Sequence, residues 1–231
     1  MTYLFKRGKR KTIGFVVGPD GLVVSAPRWV SLTDVETALQ EKSDWIVRKL
    51  GESQQRLAQM AQARVVWADG ATLMFLGDRV TLRLDPSHTF IGRGAQLCNK
   101  PEPTLLLGLP HHATPQQIRD AVQAWLMREA KRLFTVRLDH FAPQLKVQWR
   151  ELSLSNAGTR WGSARSDGSI RLHWRLIHFK PSVIDYVVAH ELAHLRVMNH
   201  SPQFWDTVGQ VVPDYAQRRK ALKSEVIAPW A

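Results

Sequence analysis

The segment His190-Glu191-Leu192-Ala193-His194, with His200 six residues later, carries the strongest structural prediction in this chain. Residues four apart lie on one face of an α-helix, so His190 and His194 can offer two imidazole nitrogens to a single metal ion. Glu191 follows the first histidine, where its carboxylate can reach a water molecule bound to that metal. The spacing therefore predicts a helical zinc site with a general base beside it.

A helix is predicted here on independent grounds. Pro181 suits a first helical position, and neither Pro nor Gly interrupts residues 182–199. Apolar residues recur at three- and four-residue spacing on a different side from the two histidines; they are Ile184, Val188, Leu192 and Leu195. This stripe can pack into a core while the histidines face a cleft.

His200 is the predicted third zinc ligand. A straight helix would place it about 9 Å further along the axis than His194, so the chain has to turn between them. Asn199 suits such a turn because asparagine tolerates positive φ, and Ser201-Pro202 resembles the N-cap and first position of a new helix. A downstream carboxylate can also complete a zinc site, which leaves three alternative ligands: Asp206, Asp214 and Glu225.

Four segments together carry a family resemblance. They are Thr159-Arg160-Trp161-Gly162-Ser163, residues 168–176, the H-E-L-A-H segment, and Asn199-His200-Ser201-Pro202-Gln203-Phe204-Trp205. With these segments the chain resembles the YgjP-like group of bacterial SprT-related metallopeptidases. The resemblance is strongest between about residues 152 and 222 and weaker near residues 10–13 and 42–46.

The resemblance implies a function and a ligand set. In that family the two histidines of the helix and the histidine of the N-H-S segment bind zinc, which correspond here to His190, His194 and His200. Glu191 corresponds to the catalytic glutamate. Two positions depart from the usual family pattern, namely Ala164, where cysteine is common, and His173, where asparagine is common. Neither departure removes a zinc ligand, but both could alter the substrate cleft.

The segment from Ser169 to Leu176 alternates apolar and polar residues, which predicts a half-buried strand after a turn at residues 166–168. An edge strand near the metal can hold an extended peptide through backbone hydrogen bonds, and we expect this strand to do so. The residues expected to contact substrate are Arg160, Trp161, Gly162, Ser163, Arg171, His173 and Tyr215. The alternative is a structural hairpin in which Trp161 and Trp174 belong to the core.

The rest of the chain predicts an α+β fold. Residues 12–17 and 22–26 flank a Gly-Pro-Asp-Gly turn and predict a hairpin. Thr33 and Glu36 resemble a capping box that opens a long helix towards Gln62. Short strands are predicted at residues 65–67, 72–76 and 79–84, and a second long helix is predicted from Thr114.

A domain boundary is predicted in the polar, proline-containing stretch 101–115. It would separate a β-rich N-terminal portion with one long helix, residues 1–110, from a small zincin-like domain, residues 111–231. That domain is expected to combine a mixed or antiparallel sheet with the H-E-x-x-H helix. The two portions could also pack as one compact unit.

Composition indicates a cytoplasmic enzyme that is a candidate for binding an anionic partner. The 32 Lys and Arg against 20 Asp and Glu give a net charge of +12, so nucleic acid or another polyanion is a candidate partner. The single cysteine, Cys98, excludes an intramolecular disulfide and a cysteine-rich zinc site. The basic N-terminus is unlike a signal peptide, and no apolar run reaches the length of a membrane span.

These observations predict a zinc-dependent metallopeptidase with one Zn²⁺ per chain and a protein or peptide substrate. Glu191 would activate the zinc-bound water, while the donor for the developing oxyanion stays open among Tyr215, Arg160 and a neutral histidine. One alternative is a metal-dependent phosphohydrolase of the pyrophosphatase type, acting on nucleoside triphosphates. The other is a nucleic-acid-associated binding protein with a structural metal.

Overall fold

The computed structural model describes residues 2–62, 64–87, 94–224 and 230. The described residues up to 64 form one compact unit, and those from 65 to 224 form a second. Both units contain helices and strands, which confirms the predicted α+β class. Within the described ranges, no helix combines the length and the apolar content needed to cross a bilayer.

The first unit packs a three-stranded sheet against two helices. Its strands are β1 (Tyr3–Gly8), β2 (Gly14–Gly18) and β3 (Gly21–Pro27), with β3 in the middle, parallel to β1 and antiparallel to β2. Its helices are α1 (Leu32–Glu41) and α2 (Ser43–Gln62). The β2–β3 hairpin was predicted, whereas β1 was not, because its three apolar residues are followed by two basic ones and show no alternation.

The start of α1 corrects the predicted capping box. The N-cap is Ser31, whose hydroxyl accepts a hydrogen bond from Asp34 N at 3.0 Å, while the Asp34 carboxylate accepts one from Ser31 N at 3.2 Å. This box lies two residues before the predicted pair of Thr33 and Glu36. Both pairs have the same spacing, so the sequence pattern alone does not choose between them. The expected single helix is also interrupted at Lys42.

The second unit begins with a four-stranded sheet. Its strands are β4 (Thr72–Phe75), β5 (Asp78–Leu84), β6 (Ala95–Cys98) and β7 (Thr104–Leu107), in the order β4-β5-β7-β6. The strands β4 and β5 were predicted, and the turn between them places Leu76 and Gly77 at positive φ. The predicted strand at residues 65–67 is wrong, and β6 and β7 were not predicted.

A long helix, α3 (Pro115–Gln144), follows this sheet. Thr114 is its N-cap, and Gln117 completes a capping box, so the predicted helix start is confirmed. A stripe at four-residue spacing on α3 is fully buried; it contains Val122, Leu126, Ala130, Phe134 and Leu138. This stripe supplies the core of the second unit because it removes a continuous apolar face from water.

A second, three-stranded sheet carries the segment that resembles the peptidase family. It contains β8 (Glu151–Ser155), β9 (Gly162–Ala164) and β10 (Ser169–His173), in the order β8-β10-β9. β10 is parallel to β8 and antiparallel to β9, so the sheet is mixed, as expected. A 3₁₀ helix (Trp174–His178) and the helices α4 (Pro181–His194), α5 (Pro202–Gly209) and α6 (Tyr215–Ser224) follow.

The predicted edge strand at residues 169–176 is corrected in two ways. β10 lies in the middle of its sheet, because it pairs with both β8 and β9, and these two are the edge strands. The strand also ends at His173, whose Nδ1 accepts a hydrogen bond from Arg175 N at 3.1 Å and caps the 3₁₀ helix. A side chain that bonds to the backbone two residues ahead competes with strand pairing.

The four-stranded sheet belongs with the C-terminal half of the chain. Leu76 N donates to Ile177 O at 2.8 Å, and Gly77 N donates to His178 O at 3.1 Å. The rings of Phe75 and Trp125 also lie 4.8 Å apart. These contacts place the division between compact units after residue 64, whereas composition had placed a boundary near residue 110.

His178 makes the second unit sensitive to acid. Its Nδ1 lies 2.6 Å from Met74 O, and burial, reinforced by the charge of Arg175, lowers the pKa of His178 to about 4. Unfolded histidine titrates near 6.5, so between about pH 6.5 and 4 the unfolded chain binds more protons than the folded chain. Stability is therefore complete above this window and falls as the pH drops through it.

We expect His178→Gln to reduce that acid sensitivity. Glutamine can donate to the same carbonyl but does not titrate, so its urea midpoint should fall less than that of the wild type between about pH 7 and 5. Both chains are to be compared with a metal chelator present, so that zinc affinity does not enter. An identical pH dependence in the two chains would contradict a buried, neutral His178.

Candidate metal centre

Helix α4 places His190 and His194 on one face, as the sequence predicted. The helix begins at Pro181, and the apolar residues Ile184, Val188 and Leu192 are completely buried. The two histidines are partly exposed and their ring centroids lie 4.9 Å apart. The buried stripe thus fixes the rotation of the helix, and the histidines occupy the side that remains open.

The chain turns directly after His194, which confirms the predicted reversal before His200. Ser201 is the N-cap of α5 and Pro202 its first residue, also as predicted. Asn199 does not use the expected positive φ, since Leu76 and Lys146 are the non-glycine residues with positive φ in the described ranges. Its side-chain Oδ1 instead accepts a hydrogen bond from Ser201 N at 3.3 Å.

The three histidines converge on one point. His200 Nε2 lies 3.2 Å from His190 Nε2, and one ring nitrogen from each of the three residues lies within 4.8 Å of the others. Two nitrogens bound at about 2.1 Å in a tetrahedral zinc site are separated by about 3.4 Å. The histidines therefore fit a zinc ion in spacing and in donor type, and within the described residues they are the group that could hold a metal.

Burial favours the neutral forms of His190 and His194, and the neutral imidazole is the form that binds metals. Burial lowers the pKa of His190 to about 3, and the neighbouring His194 and His200 lower it further. Burial also lowers the pKa of His194. The Nδ1 atom of His194 lies 3.3 Å from Val197 O, a contact that orients the ring and leaves Nε2 for a metal.

The carboxylates considered as alternative third ligands do not join this group. Asp214 contacts Arg218 at 2.8 Å, and the hydrogen bond from Arg218 lowers the pKa of Asp214. Asp206 is exposed and lies outside the three-histidine cluster. Glu225 falls outside the described residues. The geometry thus favours His200 as the third donor.

Aromatic side chains wall the three histidines. The Phe204 ring lies 4.6–4.8 Å from the rings of all three, and Trp205 stacks against His200 at 5.8 Å. Tyr215 stacks on Trp205 at 5.2 Å, and the Arg219 guanidinium lies 4.8 Å from the Trp205 ring. Two residues of α6 therefore pack on Trp205, which itself contacts His200.

Tyr186 is a site neighbour that the sequence analysis missed. Its ring lies 5.9 Å from that of His190, and burial raises the pKa of its hydroxyl. The signal was present in the sequence, because Tyr186 precedes His190 by four residues and so shares its helical face. The apolar periodicity of this helix marks only the opposite, buried face, so it does not indicate Tyr186.

Glu191 is almost completely buried beside the histidines, with 5% of its surface exposed. Burial raises the pKa of Glu191 to about 8, and the positive charge of Arg160 acts in the opposite direction. Gly162 of β9 lies against this carboxylate, since a Cβ atom on Gly162 would meet Glu191 Oε1 at 2.4 Å. The edge strand and the candidate base are thus in direct contact.

The pairing of β9 shows which of its backbone groups face the open edge. His173 N donates to Trp161 O at 2.8 Å, and Arg165 N donates to Ser169 O at 3.0 Å. Because antiparallel pairs alternate, the N–H and C=O groups of Gly162 and Ala164 point away from β10. An extended peptide could pair with these groups directly beside Glu191.

The other expected substrate residues fall into two groups. Arg160 is exposed near Glu191, and Tyr215 stacks on the site wall. Trp161 packs edge-on against Phe179 at 5.1 Å, and His173 is buried with 6% of its surface exposed. Ser163 pairs with Arg171 on β10, away from the open edge. The structure therefore brings Arg160, Gly162 and Tyr215 to the site.

Comparison with known proteins gives one family match and two solved structures that are similar to part of this chain. The family described as "YgjP-like, metallopeptidase domain" matches residues 11–225. The metallopeptidase zymogen abylysin of Pyrococcus abyssi is similar over 42% of this chain and 99% of its own, with 22% identity and a TM-score of 0.37. The metallopeptidase zymogen jannalysin of Methanocaldococcus jannaschii is similar over 41% of this chain and 97% of its own, with 14% identity and a TM-score of 0.37. No curated protein matches the chain.

We expect His200→Ala to weaken zinc binding by more than about 100-fold, because it removes one of three converging donors, a larger change than loss of an outer hydrogen bond. Asp206→Asn is the matched control and should leave the affinity unchanged. Competition with a chromophoric chelator measures both. A normal affinity for His200→Ala would exclude His200 as the third ligand, and a large loss for Asp206→Asn would assign that role to Asp206.

Proposed function

This chain belongs to the YgjP-like metallopeptidase family, and on that premise we propose that it hydrolyses peptide bonds with one zinc ion held by His190, His194 and His200. The observation that carries the proposal is the contact between a buried carboxylate, Glu191, and an open strand edge beside three converging imidazoles. A metal site alone would not require either a base or a free backbone edge.

The ligand set suits hydrolysis because it leaves room in the coordination shell. Three imidazoles would fill three of the four positions that zinc prefers, and zinc bound there would lower the pKa of a water molecule and polarise a carbonyl group. A structural zinc site would normally close with a fourth protein ligand. No fourth histidine, cysteine or carboxylate joins the group within the described residues.

Glu191 is the proposed general base and acid. It follows a zinc ligand on the same helix, so its carboxylate can accept a proton from the attacking water and return it to the leaving amine. Burial raises the pKa of Glu191 to about 8, which makes its protonated form accessible for the second step. A dication beside it would favour the ionised form for the first step.

The substrate is proposed to bind as an extended strand along β9. The backbone groups of Gly162 and Ala164 at the open edge would pair with the peptide, which moves the predicted binding strand from β10 to β9. Arg160 and Tyr215 are the candidate donors to the developing oxyanion, because both reach the site. The edge would position the scissile carbonyl beside Glu191.

No specific observation favours either of the two alternative functions. A nucleoside triphosphate phosphohydrolase could use the same ligands, but the family match is to peptidases. Association with nucleic acid or another polyanion rests on the net charge of +12 alone, so it is not part of the proposal. The cytoplasmic location stays a prediction from the sequence.

We expect Glu191→Gln to retain one zinc per chain and to lose between about 100- and 10,000-fold in peptide cleavage, because proton transfer is removed while the fold and ligands remain. Glu151→Gln, an exposed substitution on β8, is the control and should behave like the wild type. Activity is to be measured on unfolded proteins and on nucleoside triphosphates.

The outcomes of that comparison separate the candidate functions. Peptide cleavage that survives Glu191→Gln would contradict the base assignment. Glu191-dependent phosphate release without proteolysis would assign the protein to nucleotide hydrolysis. A wild-type chain without stoichiometric zinc would contradict the metal site itself.

A further inference from the structure

Gly162 of β9 lies directly against the side chain of Glu191, the candidate base, and leaves no room for a side chain of its own. We propose that Gly162 is a positioning residue for Glu191, because the space that a side chain would fill at this position is occupied by the Glu191 carboxylate. The inference rests on the proposed function for its catalytic meaning, although the contact itself does not.

The contact involves three consecutive atoms of one side chain. A Cβ atom on Gly162 would lie 2.4 Å from Glu191 Oε1, 2.7 Å from Cδ and 2.7 Å from Cγ. All three distances are far inside ordinary van der Waals separation, where carbon atoms meet at about 3.5–4.0 Å. Alanine at this position could therefore not coexist with the present position of the carboxylate.

Packing resists movement of the backbone of either partner. Glu191 is 5% exposed, and its neighbours on α4, Leu192 and Ala193, are completely buried. β9 is held against β10, where the facing residue Leu172 is also completely buried. A close-packed interior resists such a displacement, so the change of lowest cost is a rotation of the carboxylate away from β9.

The same residue also serves the proposed peptide edge. The N–H and C=O groups of Gly162 point to the open side of β9, and its Cα faces Glu191. Glycine therefore lets the carboxylate approach the backbone at the position where a peptide would pair. A side chain would move the base away from that position even if zinc still bound normally.

Gly158 offers a matched control. An added Cβ at Gly158 would meet nothing within 4 Å, whereas at Gly162 it meets the carboxylate. Neither glycine has positive φ, so alanine causes no backbone strain at either position. Alanine at the two sites differs chiefly in the contact with Glu191.

The first test compares the two alanine variants with the wild type. We expect Gly162→Ala to bind one zinc per chain with unchanged affinity, to lower kcat by about 100-fold and to change KM much less, because a displacement of about 1 Å at a catalytic group costs that order of rate. Gly158→Ala should keep the wild-type kcat. An unchanged kcat in Gly162→Ala would overturn the proposal.

The second test detects the contact between Gly162 and Glu191 through protein stability and does not depend on enzyme activity. The urea midpoints of Gly162→Ala are measured in the wild-type and Glu191→Ala backgrounds, with a chelator present. The substitution should lower the midpoint in the wild-type background and have little effect with Glu191→Ala, which lacks the three clashing atoms. An equal loss in both backgrounds would overturn the proposal. Because this double-mutant cycle needs no turnover, it shows whether Gly162 contacts Glu191 even if the wild type cleaves no peptide.

Discussion

The convergence of three imidazoles on one point sets the requirements that the surrounding structure meets. His190 and His194 lie on one face of α4, but a continuous helix would carry His200 away from them. The helix therefore has to end at His194, and α5 has to begin immediately after His200. Phe204, in the first turns of α5, contacts all three rings and holds the corner in place. The termination of α4 is thus as much a part of the site as its ligands.

The buried carboxylate explains the role of the small mixed sheet. An ionisable group that is removed from water needs compensation, and the raised pKa of Glu191 shows that the protein alone supplies little of it. A zinc ion beside Glu191 would provide the missing positive charge. β9 brings Gly162 against the same carboxylate, together with a backbone edge that pairs with no other described strand. The proposed metal, base and peptide edge would therefore meet in one layer of contacts between α4 and β9.

The sequence predicted most of the metal centre and less of the scaffold. Local spacing defines the helical histidines, the reversal before His200 and the start of α5, because each depends on residues a few positions apart. Pairing between distant segments is not visible locally, so β10 was assigned to the edge although β8 covers it. β6 and β7 are too short to show clear alternation, and two overlapping capping boxes left the start of α1 ambiguous. Gly162 was expected at the substrate cleft, but its contact with Glu191 required coordinates.

The most direct test of the zinc site is the X-ray absorption spectrum of the purified, zinc-loaded protein at the zinc edge. We expect four-coordinate zinc with three imidazole nitrogens and one further oxygen, all at about 2.0–2.2 Å. We also expect the multiple-scattering signal of three histidine rings. A spectrum with two imidazoles or fewer, or with sulfur in the first shell, would contradict the assignment of His190, His194 and His200 as the ligands.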